Sequence, residues 1–222
     1  SLQFNKMITS GEGGMVITNQ EEIWKRAVMF HDVIGGLRNN FPAETIVWGI
    51  NFRMPELLGA VALAQLRKLE GLLSALRTRK KMILTGIQDT MQKKGIQLQQ
   101  VPDPEGDAAV ALIFFAGTPD LAGKISRALT AENLPAFQMY QPDVVDYHVY
   151  CHWSPIVNQS TWTEQGGPWR WAKRPVEYTT GTCPRTLDLL GRAVHMDVHP
   201  QLSNNDIEET IEGINKVINA LA

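Results

Sequence analysis

The chain has 222 residues, and its 21 Lys and Arg against 23 Asp and Glu give a formal charge of −2. This near-neutral balance excludes the strongly basic surface that nucleic acids and anionic membranes require, so we expect neither as a partner. Two cysteines are too few for a secreted disulfide framework, and the longest apolar run is too short to cross a bilayer. We therefore expect a cytoplasmic protein of one large domain or two small ones.

The first part of the sequence predicts a short strand and two helical regions. A strand is expected over Met15–Thr18, directly after a glycine-rich turn, and a helix over 20–31. From Pro55 to about Lys94, apolar residues recur at three- and four-residue intervals, which predicts one long amphipathic helix, with a break near Gly71 as an option.

After Gly95 the pattern changes to that of a small α/β module. The predicted strands cover 96–101, 110–115, 136–140 and 193–198, and the predicted helices cover 119–133, 186–191 and 205–221. Between them, residues 141–184 form a long irregular stretch that contains four of the six tryptophans. Loops of this length inside a domain are usually functional or mobile.

The segment with the clearest chemistry is SLQFNKMITSGEGGMVITN at the start of the chain. Lys6 precedes a glycine-rich loop, 11–14, whose backbone can approach a ligand closely because side chains are missing. A lysine amine in such a setting can form a Schiff base with an aldehyde cofactor.

This segment resembles the pyridoxal-phosphate lysine segment of the DegT/DnrJ/EryC1/StrS aminotransferases, which transfer amino groups to keto-sugars and related cyclic ketones. The stretch GINFRMPEL over 49–57, followed by an A-x-x-x-A-Q-L helix, is similar to the family's G-x-N-[YF]-R-[ML] stretch. The segments that begin at Cys183 and His199 also match the family. The resemblance therefore extends over nearly the whole chain.

The resemblance implies an α/β protein with the fold-type I fold of PLP-dependent transferases, like aspartate aminotransferase. Residues 1–54 would be the C-terminal part of the large PLP-binding domain, 55–94 a long connecting helix, and 95–222 the small α/β domain. The family's ring-stacking residue, its pyridine-facing carboxylate and its phosphate loop lie N-terminal to the lysine. We therefore expect the chain to be the C-terminal portion of a longer polypeptide.

The resemblance also implies roles for single residues. Lys6 would form the Schiff base with pyridoxal 5'-phosphate and act as general base and acid, and Ser1 would hydrogen-bond the cofactor phosphate. Asn51 would reach the phosphate of the neighbouring subunit's cofactor, which implies a homodimer with shared active sites. Arg53 would either clamp a substrate carboxylate or serve as a structural ion-pair partner.

The histidines of the tryptophan-rich stretch suggest a different use. His148 and His152 have the i, i+4 spacing of metal ligands, but no third ligand follows at metal spacing, so we expect no metal site. Aromatic and histidine side chains offer stacking faces and hydrogen-bonding tips. We therefore interpret Tyr150 and His152 as contacts for the keto substrate; the alternative is that these side chains pack on the surface of the small domain.

The expected function is transfer of an amino group from glutamate or glutamine to a keto-sugar or a related cyclic ketone. Two alternatives stay open: an aminocyclitol or aminobenzoate-precursor synthase of the same family, and a truncated, non-catalytic paralogue that acts as a binding or regulatory partner. A pyridoxamine-dependent sugar dehydratase is disfavoured, because that branch replaces the lysine that is present here as Lys6.

Overall fold

In the computed structural model, which describes residues 1–222, the chain forms two units, Ser1–Leu72 and Leu73–Ala222. The first unit is helical, with irregular segments between its helices. Its elements are α1 (Glu21–His31), α2 (Gly35–Arg38), a 3-10 turn (Ala43–Thr45), α3 (Glu56–Leu66) and the first residues of α4 (Leu69–Lys93). The predicted division into a large-domain part, a connecting helix and a small domain stays a prediction.

The strand predicted over Met15–Thr18 is wrong. These residues form irregular backbone, and the side chains of Met15, Val16 and Ile17 are largely exposed. An isolated extended segment leaves its backbone groups unpaired, and no neighbouring strand lies beside this one to pair with it.

The single helix predicted from Pro55 to about Lys94 is two helices, α3 and α4. The break falls at Arg67 and Lys68 and not near Gly71, which lies inside α4. The N–H of Arg67 donates to the carbonyl of Leu63, and the N–H of Lys68 donates to that of Gln65, so the last turn of α3 tightens and closes. The apolar spacing continues through this break, which is why the sequence pattern does not reveal it.

The second unit is built on a four-stranded antiparallel sheet of order β1-β2-β4-β3. Its strands are β1 (Gln97–Leu98), β2 (Ala111–Phe115), β3 (Phe137–Gln138) and β4 (Ala193–Asp197), so all four predicted strands are confirmed. The two edge strands are shorter than predicted, as is common at sheet edges. Helices α5 (Pro119–Ala131), α6 (Ser154–Val157), α7 (Pro184–Arg192) and α8 (Asn204–Leu221) complete the unit, with 3-10 turns at Tyr150–His152 and Pro168–Trp171.

One hydrophobic core holds this second unit together. It joins α4, the sheet, α5 and α8, and its fully buried members include Ile87, Met91, Phe114, Ile125, Leu129, Val194, Ile214 and Ile218. The helix ends follow the sequence signals: Gly95 after α4 has a φ of +68°, and Ser203 forms a capping box with Asp206 at the start of α8. None of the helices combines the length and the hydropathy that a membrane crossing requires.

Candidate functional site

Lys6 lies at the end of a tight turn in the first unit. Its backbone N–H donates to the carbonyl of Gln3 at 3.0 Å, and Phe4 and Asn5 form the middle of the turn. The Lys6 side chain is exposed, and its Nζ makes neither an ion pair nor a hydrogen bond with another residue. No carboxylate of this chain therefore pairs with the Lys6 side chain.

The turn is closed at its base by hydrogen bonds to Leu2. The Leu2 N–H donates to the Gly13 carbonyl at 2.9 Å, and the Leu2 carbonyl accepts from the Ser10 N–H and from the Thr9 hydroxyl, both at 3.0 Å. Leu2 is buried, and the Ser10 hydroxyl donates to the Glu12 carbonyl at 2.8 Å. These bonds fix both ends of the loop that carries Lys6.

The glycines of this loop have backbone conformations that other residues rarely adopt. Gly11 has a φ of +88° and Gly13 a φ of +140°. A Cβ on Gly13 would lie 3.1 Å from Cε of Met54, so the glycine-rich loop contacts the GINFRMPEL stretch over 49–57, which we call the second motif. Ser1 lies against Gly14, and its Oγ accepts from the Gln3 N–H at 3.3 Å, which leaves the hydroxyl proton for another acceptor.

The second motif is held against the carboxyl end of α1. The N–H of Ile50 donates to the carbonyl of Phe30 at 2.7 Å, and the N–H of Phe52 donates to that of His31 at 2.8 Å. These bonds satisfy two carbonyls that the end of a helix leaves unpaired. The close approach requires Gly49, because a Cβ there would lie 2.0 Å from the carbonyl oxygen of Met29.

Between these two anchored residues, the exposed side chain of Asn51 contacts Arg53. Asn51 Oδ1 accepts from the backbone N–H of Arg53 at 3.3 Å and from its Nε at 3.1 Å. Arg53 Nε also lies 3.9 Å from Oδ1 of Asp32, and Oδ2 of Asp32 lies 3.1 Å from Arg38 Nε. Of the two roles expected for Arg53, these contacts are those of an ion-pair partner.

Sequence reasoning missed Asp32 and Arg38. Asp32 directly follows α1 and is only 7% exposed. An acidic residue at the carboxyl end of a helix opposes the helix dipole. That mismatch between residue and position was the available signal, but the sequence does not show which cations lie beside Asp32.

The two motifs of the first unit line two neighbouring cavities. The larger, of about 460 Å³, is mostly apolar and is lined by residues that include Leu2, Gly14, Met15, His31, Phe52, Met54 and Leu63. The smaller, of about 250 Å³, is lined by residues that include Glu12, Gly13, Gly14, Phe52, Arg53 and Met54. The glycine-rich loop and the 49–57 segment thus border common space, and Lys6, Ser1 and Asn51 are not among the residues that line it.

Tyr150 and His152 belong to the second unit. The Tyr150 hydroxyl donates to the Thr180 carbonyl and accepts from the Cys183 N–H, both at 2.8 Å. Nδ1 of His152 lies 3.0 Å from the N–H and 2.8 Å from the carbonyl oxygen of Asp146. These polar atoms therefore close the 141–184 segment on itself, and their contact with a keto substrate stays a prediction.

Two groups in or next to this segment, Asp146 and Tyr140, have shifted pKa values. Hydrogen bonds from the His148 backbone N–H and ring hold the pKa of Asp146 below its usual range. Burial and the adjacent Cys151 thiol raise the pKa of the Tyr140 hydroxyl. Both cysteines are free thiols, and no group of three or more His, Cys, Asp or Glu is arranged to hold a metal ion.

Two further groups of the second unit have shifted pKa values. Burial alone would raise the pKa of Asp107, but the Lys80 ammonium at 2.7 Å and the Ala109 N–H at 2.9 Å bring it below its ordinary value. Burial lowers the pKa of His195, and Asp197 at 3.8 Å opposes that shift only in part. Nδ1 of His195 has no hydrogen-bond partner.

Comparison with known proteins adds a family match. The model of the DegT/DnrJ/EryC1/StrS aminotransferase family matches residues 1–215. Among curated proteins, the GDP-perosamine synthase of Escherichia coli O157:H7 is 36% identical over 73 residues, which is 33% of this chain and 20% of that protein.

Solved structures share the fold along the chain. The aminotransferase from Psychrobacter cryohalolentis superposes with a TM-score of 0.70 at 18% identity, covering 99% of this chain and 55% of that one. A 3-amino-5-hydroxybenzoic acid synthase superposes with a TM-score of 0.66 at 19% identity, covering 99% of this chain and 53% of that one. The chain thus spans about half the length of these structures.

Proposed function

The chain belongs to the DegT/DnrJ/EryC1/StrS aminotransferase family, and we propose that it supplies the lysine-bearing part of the active site of a PLP-dependent aminotransferase. Its fold is that of the fold-type I PLP-dependent aminotransferases, of which it spans about half. Within it we assign residues 1–54 to the large domain, 55–94 to the connecting helical region and 95–222 to the small domain.

The residues of the first unit fit pyridoxal 5'-phosphate. The Lys6 amine has no carboxylate partner, and the glycine-rich loop beside it leaves space that side chains would otherwise fill. Ser1 and Asn51 are exposed groups with hydrogen-bond donors to offer to a phosphate. When bound, the cofactor supplies an electrophilic carbon and an electron sink for the amino group's α-carbon.

Lys6 carries the chemistry in this proposal. Its Nζ would hold the cofactor covalently, and as a free amine it would accept the proton of the donor's α-carbon and pass it on. The hydrogen bonds of Leu2 with Thr9, Ser10 and Gly13 keep the loop in place while the side chain moves. The unpaired amine on a fixed, glycine-lined loop is the observation that supports this role most directly.

Ser1 and Asn51 bind phosphate groups in this proposal. The Ser1 hydroxyl would donate to the cofactor phosphate, and the Asn51 amide would donate to the phosphate of the neighbouring subunit's cofactor. A homodimer is therefore the proposed active assembly. Exposed apolar side chains on both sides of Asn51 support an interface there: Trp48 is 87%, Ile50 55% and Phe52 63% exposed.

The proposed acceptor is a keto-sugar or a related cyclic ketone, and the proposed donor is glutamate or glutamine. Family membership and the GDP-perosamine synthase relative support a sugar acceptor. Tyr150 and His152 are proposed to contact this acceptor, and Arg53 is proposed either to clamp a substrate carboxylate or to serve the ion pair. An aminocyclitol or aminobenzoate-precursor acceptor is the alternative, supported by the four tryptophans of 141–184.

Absorbance spectroscopy tests the enzymatic proposal against a non-catalytic binding role. Titration of the purified protein with pyridoxal phosphate is expected to produce the absorbance band of a lysine Schiff base, and borohydride is expected to remove it. Lys25→Ala is the matched control, because Lys25 lies in the same unit but is paired with Glu21 and Glu22. A protein that shows no band, or the same band in Lys6→Ala as in Lys25→Ala, would contradict the proposal.

A further inference from the structure

Asp32 is a buried carboxylate in a position that disfavours it. It directly follows the last residue of α1, where the helix carries partial negative charge. Only 7% of the residue is exposed, so water does little to stabilise its charge. A carboxylate can be kept in such a place only if cations or N–H donors compensate it.

Two guanidinium groups provide that compensation unequally. Arg38 Nε is 3.1 Å from Asp32 Oδ2 and forms the closer ion pair, and the Ile34 N–H donates to Oδ1 at 3.2 Å. Arg53 Nε is 3.9 Å from Oδ1, which is a charge contact without a hydrogen bond. Asp32 therefore attracts the Arg53 guanidinium by charge alone, and the Nε–H of Arg53 can donate to another acceptor.

That Nε–H is donated to Oδ1 of Asn51 at 3.1 Å. The arrangement fixes which way the Asn51 amide faces, because the reversed amide would set its own N–H groups against the donors of Arg53. The carbonyl oxygen of Asn51 therefore faces Arg53. Its NH2 group faces away, on a residue that is exposed.

We propose that Asp32 is a positioning residue, which acts through Arg53 to fix the Asn51 amide with its NH2 group toward an anionic ligand. The proposed function identifies that ligand as the phosphate of the neighbouring subunit's cofactor, and the inference rests on the proposed function in this respect. Two guanidinium groups against one carboxylate leave a net positive charge beside Asn51, which also suits an anion. Arg53 is then a positioning residue and not a clamp for a substrate carboxylate.

The first arm of the test uses the full chain without cofactor. In a ¹H–¹⁵N NMR spectrum, the side-chain NH2 resonances of Asn51 are identified by their loss in Asn51→Ala. Both Asp32→Asn and Arg53→Lys are expected to move these resonances toward those of an unrestrained asparagine. The backbone resonances of Ile50 and Phe52, whose N–H groups bond to the end of α1, are expected to stay in place in Arg53→Lys.

Arg38→Gln is the matched control within the same cluster. It removes the other cation of Asp32 but leaves Arg53 in place, so it is expected to lower the melting temperature and to leave the Asn51 resonances unchanged. If Asp32→Asn fails to fold, Arg53→Lys and Arg38→Gln decide the question. Asn51 resonances that stay unchanged in Arg53→Lys, or that move equally in Arg38→Gln, would overturn the inference.

The second arm measures retention of pyridoxal phosphate in a double-mutant cycle of Asp32→Asn and Asn51→Ala. Asp32→Asn is expected to weaken retention about fivefold in the wild-type background and less than about twofold in the Asn51→Ala background, because its effect passes through Asn51. Asp188→Asn, which breaks an exposed pair with Arg192, is expected to have no effect. Additive losses would overturn the inference, whereas failure of every variant and of wild type to bind would refute the proposed function and leave the first arm decisive.

Discussion

The second unit buries a continuous apolar cluster of nineteen residues around its sheet, whereas the first unit buries only two apolar side chains, Leu2 and Met29. In place of a core, the first unit also buries the polar Ser10 and the charged Asp32. Backbone hydrogen bonds and one ion-pair cluster hold its loops, and large apolar side chains such as Trp48 are exposed.

The residues that form the apolar core and the residues proposed to bind the cofactor therefore lie in different units. A unit held by an extensive core tolerates few changes of volume, whereas a unit held by specific polar contacts depends on single groups. Every residue proposed to touch the cofactor lies in the first unit. We therefore expect substitutions of the residues proposed to touch the cofactor to change binding and catalysis more than global stability, and substitutions in the apolar core of the second unit to do the reverse.

Lys6→Ala is expected to have the largest effect. Loss of both the covalent attachment and the proton carrier should reduce transamination by several orders of magnitude, on the order of 10⁴-fold or more. Because the side chain is exposed and unpaired, the melting temperature should not change. Steady-state turnover and a thermal melt measure both quantities, and appreciable turnover in the variant would break the assignment.

Gly49→Ala is expected to be the most damaging change to the structure of the first unit. The new Cβ would lie 2.0 Å from the Met29 carbonyl oxygen, so the second motif must move off the end of α1, at a cost of about 3 kcal/mol. Gly59→Ala in α3 is the control, since its new Cβ would meet nothing closer than 3.9 Å. This substitution should stabilise the helix by about 0.5 kcal/mol, because alanine loses less backbone entropy than glycine on folding. Denaturant unfolding of both variants compares them, and equal stabilities would contradict the geometry.

Asn51→Ala is expected to weaken cofactor retention by roughly 1.5–3 kcal/mol, the worth of one charge-assisted hydrogen bond. The dimer itself should persist, because the exposed apolar residues beside Asn51 are unchanged. Spectroscopic titration measures cofactor retention, and light scattering measures the oligomeric state. A catalytically competent wild-type monomer would remove the shared-site explanation.

These predictions differ in how far the sequence alone supports them. The Lys6 motif is continuous in sequence and could be predicted, as could the helices and strands whose patterns are long and regular. The Asp32–Arg53–Asn51 contact could not, because Asp32 is distant in sequence from the other two residues and meets Arg53 only when the 49–57 segment lies against α1. The position of the break between α3 and α4 could not be predicted either, because the apolar spacing runs through it.

Tyr150→Ala and His152→Ala probe the 141–184 segment with a smaller expected effect. If the segment recognises the acceptor, these variants should raise the KM for the keto substrate by about fivefold to tenfold, roughly the worth of one hydrogen bond. The half-reaction with the amino donor should be little changed. Single-turnover measurements determine the rate of each half-reaction separately. Equal losses in both would mean that Tyr150 supports the fold through its hydrogen bonds with Thr180 and Cys183 and does not recognise the acceptor.

The pH dependence of the second unit is expected to show the smallest effect. Because burial lowers the pKa of His195, this imidazole binds a proton near pH 6.5 in the unfolded chain but only at lower pH in the folded chain. Stability should therefore fall as the pH drops from about 6.5 through the lowered pKa of the folded state. Thermal melts at about pH 7.5 and about pH 5.5 should show a smaller decrease in His195→Gln than in wild type. An identical decrease would exclude His195 as its source.

The proposed chemistry depends on one atom, Nζ of Lys6. Reduction of the protein–pyridoxal-phosphate mixture with borohydride, followed by proteolysis and mass spectrometry, shows which lysine carries the cofactor. We expect the reduced adduct on the peptide that contains Lys6, and the lysines of the second unit should remain unmodified at the same cofactor concentration. An adduct on another lysine, or adducts scattered over many lysines with none on Lys6, would contradict the account.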